Sequence, residues 1–175
     1  MMARESQPSE WVLLTYWMPR DPSTPRSSVW RKLRRLGVAQ LGDGLVALPA
    51  DARTREQLEW IADEVREADG TAGVWLARPA SLAQARGLAT AMADARAAEY
   101  RALQADAQKA LALEERDRTR ALRRLRAELR RIRRRDFFPP VDRDAAVGAV
   151  DELAARTPTT AAEDPVSQSR SASTS

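Results

Sequence analysis

The sequence of 175 residues predicts an α+β fold followed by a disordered tail, and three features support this prediction. Residues 11–77 alternate between apolar runs and amphipathic segments in the order strand, helix, strand, strand, helix, strand. Residues 88–138 contain neither glycine nor proline and are rich in alanine, leucine and arginine, which favours long helices. Residues 157–175 carry almost no bulky apolar side chain, so we expect them to form a disordered tail.

The composition excludes several classes of function. The chain has no histidine and no cysteine, which removes zinc fingers, thiolate catalysis, serine–histidine triads and disulfide bonds. The 29 basic and 25 acidic residues leave a net charge of +4, and every base except Lys32 and Lys109 is arginine. No apolar run approaches the roughly 20 residues of a membrane span. No targeting segment is apparent, so we expect a cytoplasmic protein. We also expect a non-enzymatic protein without cofactor or metal.

The first two predicted elements are a strand and a helix. Residues 11–17 are mainly aromatic and aliphatic, so we expect a strand buried on both faces or nearly so. Thr24 offers an N-cap before Pro25 at the first helical position, and Gly37 suits a left-handed C-cap. The apolar face of this helix consists of Val29, Trp30, Leu33 and Leu36.

Two strands, a helix and a last strand follow. Residues 38–41 and 45–48 predict a hairpin around a glycine-rich turn. Thr54 and Gln57 suggest a capping box for the second helix, and residues 71–77 form the fourth strand. The apolar face of the second helix consists of Leu58, Ile61, Ala62 and Val65. This order is the split βαβ pattern of a ferredoxin-like sandwich, an antiparallel sheet with both helices on one face.

Such a sandwich leaves the other sheet face bare, and the residues that follow offer a cover. A single helix of about 50 residues would run roughly 75 Å, so we predict an antiparallel helical hairpin that turns at residues 114–120. Phe137 and Phe138 are expected to pack against the body of the domain. A seam with coiled-coil spacing consists of Leu122, Leu125, Leu129 and Ile132.

These elements divide the chain into five segments. We predict a flexible N-terminus, a ferredoxin-like domain, a helical arm, a short helix and a disordered tail, at residues 1–10, 11–80, 81–140, 141–156 and 157–175.

Two groups of basic residues are the candidate binding surfaces for DNA, because guanidinium and ammonium groups neutralise phosphates. The first group lies in a stretch without acids and consists of Arg31, Lys32, Arg34 and Arg35 on the outer face of the first helix, joined by Arg26. The second group lies outside the leucine seam and consists of Arg123, Arg126, Arg130, Arg133 and Arg134. The alternatives are a solvated face for the first group and pairing with nearby acids for the second.

Three further positions are candidates. The N-terminus of the first helix, with Arg26 and Arg31, suits a tetrahedral dianion such as chromate. Asp21 follows the first strand, where small ferredoxin-like nucleases place a metal-binding aspartate, although a turn residue is the simpler interpretation. Trp60 points away from the apolar face of its helix, which indicates a dimer contact or packing on the arm. We expect the other four tryptophans in the core.

Several stretches of this sequence resemble one family. They are residues 11–19, 29–37, 42–49 and 52–60, Arg96 with Glu99-Tyr100, and Arg135-Asp136-Phe137-Phe138-Pro139. Over about residues 10–140, and in this order, the chain resembles the N-terminal domain of the chromate-resistance regulator ChrB. The resemblance implies a chromate-responsive transcription regulator that controls a chromate efflux pump. Members of the family carry a further C-terminal domain, to which chromate sensing is assigned. In this chain we expect a disordered tail in its place, and therefore a stand-alone N-terminal domain.

Three hypotheses about function follow. The leading one is a non-enzymatic transcription-regulatory domain of the chromate response, which binds DNA through its basic helix surfaces. The second is a structural or dimerisation adaptor without intrinsic DNA binding, and the third is a small metal-dependent nuclease. We expect DNA as a partner and chromate as a candidate ligand. We also expect a homodimer, because the bare sheet face needs a cover from this chain or from a second copy.

Overall fold

The computed structural model describes residues 8–21 and 23–157, which confirm the α+β class. The described part contains β1 Trp11–Trp17, α1 Ser23–Leu36, β2 Ala39–Gly42, β3 Leu45–Pro49, α2 Ala52–Glu67, β4 Thr71–Ala77, α3 Leu82–Ala110, α4 Glu115–Arg134 and α5 Asp142–Ala155. The predicted flexible N-terminus up to residue 7 and the predicted tail from residue 158 lie outside the described residues. None of the described helices is long and apolar enough to cross a membrane.

The four strands form one antiparallel sheet in the order β2-β3-β1-β4, as the ferredoxin-like pattern predicts. Val12 and Leu14 are fully buried on the sheet face that α1 and α2 cover. The expectation that β1 is buried on both faces is wrong, because Thr15 and Trp17 are exposed on the opposite face. Alternate side chains of a strand point to opposite faces, and the cover on that second face does not extend over this end of β1.

The capping of the first two helices differs from the sequence prediction. α1 begins at Ser23, so Thr24 lies inside its first turn rather than at the N-cap. The N-cap of α2 is Asp51, whose carboxylate accepts from the Thr54 amide at 2.7 Å, and the Thr54 hydroxyl accepts from the Asp51 amide in return. The predicted Thr54–Gln57 box is therefore one turn too late, because aspartate is as good an N-cap as threonine.

The helical arm is a hairpin, as predicted, and α5 packs against it. α3 ends at Ala110 and α4 begins at Glu115, so the chain turns at residues 111–114 rather than at 114–120. The predicted seam of α4 is buried against α3 and α5 in a second hydrophobic cluster. Thr157, the first residue of the predicted tail, is also buried, and its hydroxyl donates to the Leu153 carbonyl at 2.7 Å.

The arm covers only part of the second sheet face. Phe138 follows α4 and stacks on Trp11 with ring centroids 6.0 Å apart, and Met92 of α3 joins the same cluster. Trp17 and Trp75 lie on this face too, but they are 62% and 59% exposed. The arm contacts β2, and among the described residues no strand pairs with the outer edge of β4.

Most tryptophans lie outside the core, contrary to the sequence prediction. Trp11 is buried, whereas Trp17, Trp30 and Trp75 are exposed to different degrees. The indole of Trp75 lies over Gly73 and donates to the Thr15 hydroxyl at 3.1 Å, so it is held on the surface by local contacts. Trp60 is 64% exposed on the outer side of α2, in agreement with the sequence prediction that it points outward.

Candidate functional site

The first predicted basic surface is the outer side of α1, which we call the α1 basic face. The members on the outer side are all exposed, namely Arg31, Lys32, Arg34 and Arg35. Arg26 is exposed too, but it lies on the side of Val29 and Trp30, because it precedes them by three and four residues. Lys32 pairs with Glu64 of α2, and it is the one member that forms an ion pair with a described residue. The Nε of Arg31 donates to the Ser27 carbonyl at 3.2 Å, which leaves its guanidinium charge unpaired within the described chain. This face therefore presents mostly uncompensated positive charge.

The second predicted basic surface runs along α4, and we call it the α4 stripe. At 100° per residue its members fall within an arc of roughly 100° beside the buried leucine seam. They are exposed and consist of Arg123, Arg126, Arg130, Arg133 and Arg134. No described acid pairs with any of them.

Three acids near α4, Asp106, Asp117 and Glu128, pair with other arginines instead. Arg120, Arg124 and Arg131 form ion pairs with nearby carboxylates at 3.2–3.6 Å. These three lie together in a different sector of the helix from the α4 stripe, because they are spaced at four and seven residues. Helix α4 thus separates paired arginines from unpaired ones.

The ends of α1 and α4 meet at a cavity of about 410 Å³, which we call the basic junction. Its charged lining consists of Arg34, Arg35, Arg96, Arg135 and Glu99. The C-terminal ends of both helices carry negative partial charge, which favours cations in their last turns. Its lining residues come from the end of α1, the C-cap of α4 and the middle of α3.

Glu99 binds two arginines of the basic junction, the buried Arg96 and the partly buried Arg135, to each other. Its carboxylate accepts from Arg96 at 3.0 Å and from Arg135 at 2.9 Å. Burial lowers the pKa of Arg96, and the carboxylate of Glu99 opposes this shift. The three side chains tie the start of the post-α4 segment to α3.

A second contact lies next to this one. The hydroxyl of Tyr100 donates to Asp136 at 2.8 Å. Burial raises the pKa of Tyr100 well above its usual range, and the hydrogen bond to Asp136 raises it further. These contacts place Phe137 and Phe138 on the sheet, with Arg53 of α2 lying over the Phe137 ring at 5.9 Å.

The remaining sequence candidates lie elsewhere. Arg26 lines a second cavity, of about 860 Å³, between the N-terminus of α1 and the end of β1, but Arg31 does not. Asp21 is exposed, and the described residues contain no group of three acidic, histidine or cysteine side chains able to hold a metal. Trp60 lies on the helix side of the sheet, away from Trp17 and Trp75.

Sequence reasoning did not nominate Arg96 and Arg135 as site residues. A signal was available, because both belong to the short motifs on which the family resemblance depends. Their convergence follows from the arm folding back, so that residues 36 positions apart, Glu99 and Arg135, come into hydrogen-bond contact.

The fold and these surfaces define a ferredoxin-like domain with a helical arm and arginine-rich, largely unpaired surfaces. The family described as Protein ChrB, N-terminal, matches residues 26–164, and the chain belongs to this family. Protein ChrB of Cupriavidus metallidurans is 34% identical over 104 residues, which cover 59% of this chain and 28% of that protein. The aligned part thus spans well under a third of the relative. No solved structure shows a significant match.

Proposed function

We propose that this chain is a non-enzymatic, cytoplasmic regulatory domain of a chromate-resistance system, and that it binds DNA. Its membership of the ChrB N-terminal family supports the regulatory role in chromate resistance. The observation that supports DNA binding is the separation of charges on α4, where the α4 stripe is exposed and unpaired while three other arginines are paired. The α1 basic face adds further unpaired cations.

The chemistry of the two surfaces suits the phosphate backbone. Exposed guanidinium groups contact phosphates in pairs of hydrogen bonds, and each neutralised phosphate releases counterions. The α4 stripe extends over about 16 Å of helix, which follows from a rise of about 1.5 Å per residue. Contacts of this kind position a protein on DNA without reading the bases.

The test is a binding titration of a fluorescent duplex taken from the upstream region of the protein's own gene. The variant R126Q/R130Q/R133Q removes three charges from the α4 stripe, and R120Q/R124Q/R131Q removes three paired charges from the same helix as a matched control. We expect the first variant to reduce the slope of log K against log salt by roughly 3, because each phosphate contact contributes about 0.9. The control should keep a slope close to that of the unmodified chain.

Two results would contradict the proposal. One is the absence of duplex binding at low salt. The other is an equal loss of slope in both triple variants, which would indicate a general effect of net charge rather than contacts by the α4 stripe.

A second candidate function is a dimerisation adaptor, and one observation favours it. Trp17 and Trp75 are more than half exposed on the same sheet face, next to the open β4 edge. Large apolar side chains that lie together on a surface are typical of protein contacts. Light scattering of the full chain would give the mass of a homodimer, and W17S/W75S would return it to the monomer.

A further inference from the structure

The two edge strands of the sheet differ in how the fold protects them. β2 is four residues long, has a register shift between Gln40 and Gly42, and is contacted by α3. β4 is seven residues long, and its pairing with β1 runs from end to end without a shift. It contains no charged residue and no proline. Proteins normally shorten, bend or charge an edge strand, because its free backbone groups pair readily with another strand. β4 has none of these protections.

The direction of the backbone groups in β4 follows from its neighbour β1. The Tyr16 amide donates to the Gly44 carbonyl at 2.8 Å, on the β3 side of β1. Successive residues of a strand point their backbone groups to opposite sides, so those of Thr15 point to β4, where Gly73 lies opposite. In β4 the odd-numbered residues therefore bond to β1, and the even-numbered residues point their backbone groups to the free edge.

Three residues of β4 thus present backbone donors and acceptors at this edge, namely Ala72, Val74 and Leu76. The carbonyl of Ala72 accepts from Nη2 of Arg66 at 3.0 Å. Within residues 8–21 and 23–157, no backbone group pairs with the outward groups of Val74 and Leu76. An antiparallel strand of another molecule would satisfy them.

The sequence of β4 is complementary to itself in the antiparallel direction. Outward residues pair with outward residues, so a two-fold axis between two copies of β4 passes through a residue. Pairing over all seven residues places this axis at Val74. Gly73 then lies opposite Trp75 of the second copy, and Ala72 lies opposite Leu76 of the second copy. Each small residue meets a large one, and an aromatic side chain beside an edge glycine is a stabilising cross-strand pair.

The side chains that this pairing covers are exposed in the single chain. Trp75 is 59% exposed on one face of the sheet, and Leu76 is 57% exposed on the other. Covering these side chains and the strand edges of both copies removes on the order of 1,000 Å² of surface, about the minimum for a specific interface. Arg66, which faces this edge, shares its side of α2 with Arg55 and Glu59. Both signs of charge therefore meet across the axis, and the two copies do not repel each other.

We propose that two copies of this chain pair antiparallel through β4 about Val74, which joins their four-stranded sheets into one continuous sheet. The two-fold axis is perpendicular to the joined sheet, so both helix layers lie on one face and both arms lie on the other. The inference rests on the second candidate function, the homodimer, and specifies its interface. It is independent of DNA binding.

The experiment uses the absence of cysteine from the chain, because a single introduced cysteine forms a disulfide only with a second copy. In V74C the two cysteines lie directly opposite, with Cα atoms about 4.5–5.5 Å apart, which suits a disulfide. T71C is the matched control, since the two Thr71 residues lie about 20 Å apart in this register. Under mild oxidation we expect V74C to crosslink at least about tenfold faster than T71C. Thr71 is the more exposed residue, so random collision would favour the control.

The mass of the chain gives a second measurement. Light scattering of the unmodified chain at about 100 μM should give the mass of a homodimer. L76K places a charge at the free edge and should weaken the dimer by at least about tenfold. L82K changes a leucine of similar exposure on α3 and should leave the mass unchanged. Circular dichroism should show an intact fold for both variants, because both positions are exposed.

Four outcomes would overturn the inference. Three are a monomer mass for the unmodified chain, equal crosslinking of V74C and T71C, and equal masses for L76K and L82K. The fourth is a dimer that W17S/W75S disrupts but V74C does not crosslink. That result would assign the contact to stacked sheet faces, so the second candidate function would stand and the β4 pairing would fall. None of these measurements uses DNA, so failure of the duplex titration is a separate result.

Discussion

Replacing Glu99 with glutamine tests whether the basic junction holds the arm to the ferredoxin-like domain. Glu99 is the shared partner of Arg96 and Arg135, whose side chains are 10% and 17% exposed. Breaking a buried ion pair costs 3–5 kcal/mol, and exposed pairs contribute about 0–1 kcal/mol. Because the Glu99 side chain is 31% exposed, we expect an intermediate loss of about 2–3 kcal/mol in the free energy of unfolding.

The measurement is urea unfolding followed by tryptophan fluorescence and circular dichroism in chloride buffer. With an m-value of about 2–3 kcal/mol/M, the E99Q midpoint should fall by about 1 M. The control is E59Q, which removes the exposed partner of Arg55 on α2 and should cost less than about 1 kcal/mol. If E99Q and E59Q shift the midpoint equally, the reasoning about a buried charge network is wrong.

Three further predictions concern stability. The pKa of Tyr100 is raised in the folded chain, so the unfolded chain loses the phenolic proton at a lower pH than the folded chain does. The free energy of unfolding should therefore fall above about pH 10, by up to about 1.4 kcal/mol per pH unit. Urea titrations at about pH 9–11 should show a shallower fall for Y100F. L125A should lower the free energy of unfolding by about 2–5 kcal/mol, because Leu125 is 1% exposed. The control L82A, at a 60% exposed position, should leave the urea midpoint nearly unchanged. Equal midpoints for the two variants would argue against the second hydrophobic cluster. D51A should lower the melting temperature by removing an N-cap worth about 1 kcal/mol, and an unaltered melting temperature would count against that cap.

Hydrophobic spacing predicted most of the fold, and its failures have identifiable causes. The core positions of α2 and α4 follow directly from apolar residues three and four apart, and both sets are buried. The sequence places the turn of the arm too late, because no glycine or proline marks residues 111–114. The sequence does not predict the exposure of Trp75, because period-two alternation does not state which face of an edge strand remains uncovered.

The α1 basic face and the α4 stripe are readable from sequence, since residues three, four and seven apart share a helix side whatever the helix packs against. Which arginines are neutralised is not readable, because Lys32 meets Glu64 only after α1 and α2 pack together. The basic junction is likewise a product of tertiary structure. Arg34, Arg96 and Arg135 are far apart along the chain, and only the return of α4 alongside α3 brings their charges into one cavity. Local periodicity fixes helix faces, whereas long-range packing decides which charges meet.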